Sequence, residues 1–131
     1  MATRSFALLA LLALSACQTT ALAPASTPPM LIADVRISIR PDAQQTFDDV
    51  IGPFLEQSRR SEGNLDFQLL RVEGEPHRFV LLERWESRAA FEAYLGSDAF
   101  AAFRIQVGPL LAGPPESAYY DASPAERETV R

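Results

Sequence analysis

The stretch Phe79-Val80-Leu81-Leu82-Glu83-Arg84-Trp85 carries the chain's best candidate for acid–base chemistry. In an extended strand alternate residues share a face, so Glu83 lies beside Phe79, Leu81 and Trp85 on the side turned toward the core. A carboxylate among apolar neighbours loses hydration. Its ionised form is penalised, and its pKa rises toward the range a general base needs at neutral pH. Trp85 beside it and Tyr94 from the following helix are candidates to shape a pocket there, with Tyr94 donating a hydrogen bond; both are also ordinary core aromatics. Glu83 has a structural alternative of its own, an ion pair with Arg71 or Arg104. His77, the single histidine, falls in a proline-containing loop, is solvated there, and receives no catalytic assignment.

Composition removes several other chemistries. All twelve basic residues are arginine, which excludes a Schiff base on a lysine side chain. One histidine and one cysteine cannot build a His/Cys zinc or copper site within a protomer, so no metal is expected. There is no glycine-rich phosphate loop, no G-x-S-x-G elbow and no internal repeat, and no cofactor is expected either. A formal net charge of −5 without any basic run argues against nucleic acid as a partner, because phosphate neutralisation needs clustered positive charge.

The first residues form an export signal: Arg4, an apolar run from Phe6 to Leu14, then small residues. That run is shorter than the roughly 20 residues a spanning helix needs. Leu14-Ser15-Ala16-Cys17 resembles the lipobox of bacterial lipoproteins, which implies cleavage of a signal peptide at 1–16 and lipidation of Cys17. Because burial contributes ~0.8 kcal/mol per CH₂, several acyl chains on Cys17 would hold the protein at a membrane. The uncharged Thr/Ala/Pro-rich stretch at 17–30 suits a flexible linker, and Gln18 in place of Asp resembles the outer-membrane class, giving a periplasmic-side lipoprotein. With one cysteine, no intrachain disulfide supports the fold. Residues 31–121 are enough for one domain, followed by a polar tail at 122–131.

The elements that position Glu83 follow from periodicity. Ile32 to Arg40 alternates as a half-buried strand stopped by Pro41, and Phe47, Val50, Ile51, Phe54 and Leu55 recur at helical spacing through Arg60, with a bend expected at Gly52-Pro53 and Gly63 as C-cap. Leu65 to Val72 and Arg78 to Trp85 make a hairpin around the loop 73–77, in a register pairing Leu70 with Val80, Leu69 with Leu81, Asp66 with Arg84 and Leu65 with Trp85. Ser87 and Ser97 cap helices over Arg88–Leu95 and Asp98–Val107, and Glu116 to Asp121 reads as a last strand. The order is β-α-β-β-α-β, an α+β, ferredoxin-like antiparallel sheet with helices on one face. Leu70, Val80 and Leu82 make the other face apolar too, so a second copy of the chain is expected to cover it, giving a homodimeric α+β barrel.

Beyond this outline, the chain resembles the antibiotic biosynthesis monooxygenase family of dimeric α+β barrels. The resemblance rests on the Arg40-Pro41-Asp42 strand exit, the string from Ser58 to Phe67, the string from Phe79 to Ser87, Ala90-Phe91-Glu92-Ala93-Tyr94, Ser97-Asp98-Ala99-Phe100 and Phe103. It implies a cofactor-free, quinol-type monooxygenase acting on a quinol, an anthrone or a similar small aromatic, or else a small-ligand-binding module that kept the fold without catalysis. Many members carry histidines where this chain has Tyr94 and the segment Asp98-Ala99-Phe100. A haem-degrading branch uses an Asn, Trp and His triad, aligned here with Val35, Tyr94 and Arg104; arginine stays protonated and cannot serve as the axial iron ligand, so a haem-binding or haem-degrading role is disfavoured.

Overall fold

The computed structural model describes residues 29–123. The leader, Cys17, most of the linker and most of the tail lie outside the described residues. Four strands, β1 (Met30–Ser38), β2 (Asn64–Val72), β3 (Glu75–Trp85) and β4 (Glu116–Ala122), form one antiparallel sheet in the order β2-β3-β1-β4. Three helices, α1 (Gln44–Arg59), α2 (Arg88–Leu95) and α3 (Asp98–Val107), pack on one face of it. This is the ferredoxin-like α+β arrangement that the periodicity implies.

Alternation sorts the sheet residues. Leu31, Ala33 and Ile37 of β1, Phe67 of β2, and Phe79, Leu81 and Trp85 of β3 are buried under the helices. They meet Phe47, Ile51, Phe54 and Leu55 from α1, Phe91 and Tyr94 from α2, and Phe103 and Val107 from α3. Ser87 and Ser97 cap their helices by accepting the backbone N–H groups of Ala90 and Phe100, each at 3.2 Å.

Several boundaries differ from expectation for local reasons. β1 starts at Met30 and ends at Ser38, with Ile39 in an isolated bridge to Leu111. α1 runs without interruption through Pro53, whose place on the exposed side leaves the inner face intact. Gly63 is not the cap of α1; Arg60 is. Gly63 sits at φ +77° in the turn into β2, where an added Cβ would lie 2.5 Å from the Ala90 Cβ and its carbonyl accepts the Glu86 N–H at 2.8 Å. The hairpin register holds for Leu70–Val80, Leu69–Leu81 and Asp66–Arg84, but a bulge between Asn64 and Asp66 pairs Asn64 with Trp85 and leaves Leu65 half exposed. The turn is Glu73-Gly74 alone, so His77 belongs to β3 rather than to a solvated loop. It is half-buried, with its Nδ1 2.9 Å from Gln44 Oε1.

Candidate functional site

Glu83 is where the geometry departs most from an ordinary core. It sits in β3 between Phe67 on β2 and Ala33 on β1, on the helix-facing side, and is only 4% exposed. One of its oxygens, Oε2, accepts the Trp85 Nε1–H at 2.9 Å, a contact that the shared face of residues i and i+2 makes easy. Neither Arg71 nor Arg104 reaches it: Arg71 pairs with Asp48 at 3.4 Å and lies over the Phe79 ring, and Glu83 has no cationic partner among the described residues. Burial therefore acts almost unopposed and lifts the Glu83 carboxyl from 4.5 to about 7, with the Trp85 hydrogen bond a smaller pull downward.

In front of Glu83 lies a cavity of about 380 Å³ between the sheet and the α2–α3 side. Val35, Ile37 and Leu81 form its floor, Phe91, Phe100 and Phe103 its helical walls, and Glu83 and Arg104 supply its charged groups. Among the described residues Glu83 Oε1 has no hydrogen-bond partner, and no fully enclosed side-chain polar atom lacks one. With Oε2 held by Trp85, Oε1 is the oxygen left free at the cavity that Glu83 lines. The volume falls at the small end of the range for ligand sites, with the predominantly apolar lining and few polar groups that such sites share.

Trp85 and Tyr94 stand behind Glu83 instead of lining the cavity. Trp85 is fully buried, with its ring 4.6 Å from that of Tyr94 between centroids, and its part in the site is to hold Oε2. The Tyr94 hydroxyl lies 3.1 Å from Ser58 Oγ on α1. Burial raises that hydroxyl well above the usual tyrosine range, the Ser58 hydrogen bond partly offsets this, and the nearby Glu83 charge adds to it, so Tyr94 stays protonated. Ser58 is absent from a reading based on chemistry alone. It does, however, continue the inner-face series Phe47, Ile51, Phe54 and Leu55, and a hydroxyl at an apolar position of a helix is a visible signal. No group of three or more His, Cys, Asp or Glu side chains among the described residues is arranged to hold a metal ion.

Comparisons with known proteins agree with this architecture. A profile of the family described as "Antibiotic biosynthesis monooxygenase" matches residues 30–105. "Putative monooxygenase YcnE" of Bacillus subtilis (strain 168) is 28% identical over 85 residues, 65% of this chain and 90% of that protein. "Putative monooxygenase Rv0793" of Mycobacterium tuberculosis is 30% identical over 89 residues, 68% of this chain and 85% of that one. Among solved structures, a "putative antibiotic biosynthesis monooxygenase" from Nitrosomonas europaea superposes with a TM-score of 0.69 at 27% identity, covering 72% of this chain and 91% of its own.

Proposed function

The chain belongs to the antibiotic biosynthesis monooxygenase family, and on that premise we propose that it is a cofactor-independent monooxygenase for a quinol, an anthrone or a similar small aromatic, with Glu83 as general base. The observation that carries this is a lone buried carboxylate lining an apolar cavity, with one oxygen held by Trp85 and the other free among the described residues. Burial that pushes its pKa up to about 7 favours the role of base. For an anthrone, Glu83 takes a proton from the ring methylene and leaves an electron-rich anion. The anion passes one electron to O₂, and the two radicals couple into a carbon-bound peroxide. Protonation of the outer oxygen and loss of the second methylene proton break the O–O bond, water departs, and a carbonyl remains. The substrate supplies every electron, one oxygen atom stays on carbon and the other leaves as water. A dry cavity keeps water from reprotonating the anion before it meets oxygen. Oxygen-electrode assays of the full chain with a panel of quinols and anthrones test this. Glu83→Gln is expected to lower uptake at least about 100-fold, and no uptake above background with any substrate removes the enzymatic reading.

A non-catalytic binding module is the second reading, favoured by one contact. The Tyr94 hydroxyl is committed to Ser58, so it gives the cavity no second proton donor. Native mass spectrometry of protein purified from its own host separates the two readings, since a binder retains a small apolar ligand through purification. Haem chemistry has less support: of the residues aligned with the haem-degrading triad, Val35 and Arg104 line the cavity and neither can ligate iron as a neutral donor.

The same proposal places the mature protein on a membrane at the periplasmic side, through lipid on Cys17, where lipophilic quinols concentrate. Its support is the order of leader, small residues and cysteine in the sequence. No helix among the described residues is long and apolar enough to cross a membrane. Mass analysis of the N-terminal peptide from a membrane fraction should give an acylated Cys17. The open sheet face, with Leu70 41% and Tyr120 56% exposed beside half-buried Ile32, Val80 and Leu82, is proposed to pair with a second copy. Sedimentation at micromolar concentration should report a dimer, and a monomer refutes it.

A further inference from the structure

We propose that the cavity selects an aromatic substrate carrying an anionic group, a carboxylate or an ionised hydroxyl, which Arg104 holds while the rings lie among Phe91, Phe100 and Phe103. This rests on the reading of the cavity as the substrate site and names the substrate class within it. The described residues include Arg36, Arg40, Arg59, Arg60, Arg71, Arg78, Arg84 and Arg88, and each of these donates to a carboxylate or a backbone carbonyl. Arg104 has no such partner among the described residues, and it is the arginine that lines the cavity. It sits in the last turn of α3, where the helix carbonyl ends favour a cation.

The two charged groups of the cavity set an orientation. An anion brought beside Glu83 would meet a carboxylate of the same sign in an apolar setting, whereas at Arg104 it meets a cation that presents a planar fork of donors. The acidic end of the ligand therefore lies at Arg104, and its neutral, oxidisable end reaches Glu83. Phe91 and Tyr119 on β4, both lining the cavity, lie with their ring centroids 5.4 Å apart and offer aromatic surface to the ligand's rings.

Calorimetric titration of the full chain with 6-hydroxy-2-naphthoic acid, its methyl ester and 2-naphthol tests the inference, because the three share a ring system and a hydroxyl and differ in charge. The acid is expected to bind about tenfold more tightly than the ester or the naphthol, and Arg104→Gln to abolish that preference by bringing the acid's affinity down to that of the ester. Equal binding of all three to the unmodified chain, or an acid preference that survives Arg104→Gln, overturns the inference and leaves the substrate cavity standing. Failure of all three to bind overturns both the inference and the reading on which it rests.

Discussion

Replacing Glu83 by glutamine should change how stability depends on pH, and the size of the change follows from the site. The carboxyl titrates at 4.5 when hydrated and at about 7 in the fold, because burial penalises the ionised form more than the Trp85 hydrogen bond rewards it. A gap of this size corresponds to about 3 kcal/mol, at about 1.4 kcal/mol per pH unit. The folded state holds its proton more tightly than the unfolded chain does, so this contribution is fully present below pH 4.5 and is lost as pH rises through about 7. Glu83→Gln keeps the shape and an oxygen to accept from Trp85 Nε1, and it removes the titration. Urea unfolding of both proteins from pH 4 to pH 8.5 reads the difference. Other carboxylates move both curves together, so the quantity that matters is the variant's stability minus that of the unmodified protein. It should rise by about 3 kcal/mol between pH 4.5 and pH 8, a midpoint shift on the order of 1–3 M urea. A difference that stays flat with pH would mean that water or a cation reaches Glu83, and the reasoning from its burial would fail.

Three further outcomes follow from contacts in the same core. Tyr94→Phe strands the buried Ser58 hydroxyl and should cost about 1–3 kcal/mol, whereas adding Ser58→Ala should recover part of that loss in a double-mutant cycle monitored by denaturation. Gly63→Ala sets a methyl against Ala90 at a positive φ; thermal unfolding should show a loss of at least about 1 kcal/mol, and a neutral result would mean that the β2 turn is not confined as described. Ser97→Ala removes the cap of α3 and should cost about 1 kcal/mol, with local hydrogen exchange at Phe100 rising more than in the sheet.

Most of the architecture was legible because each element carries its own period. The limits of α2 and α3 matched their serine caps, since an N-cap is a contact over three residues and needs no tertiary partner. The strand register was legible from Leu70–Val80 to Asp66–Arg84, and it failed at Leu65, where a bulge between Asn64 and Asp66 shifts the pairing. His77 was misplaced for a related reason. Pro76 reads locally as loop, while the turn closes at Glu73-Gly74 and tertiary pairing draws the following residues into β3.

For the site, the sequence by itself determined that Glu83 faces the core, because parity along a strand is a property of the backbone. It also determined that Trp85 shares that face, and hence that the two can bond. What only the tertiary structure decided is which groups share space with them. Helices and sheet approach across many residues, so distance in the chain carries no information about whether Tyr94 meets Ser58 or the cavity, or whether Arg104 reaches Glu83 or stands apart from it. Packing turned Tyr94 away from the cavity, brought Arg104 and four phenylalanines to it, and buried Glu83 with no cationic partner among the described residues, and it is that burial that lifts its carboxyl to about 7.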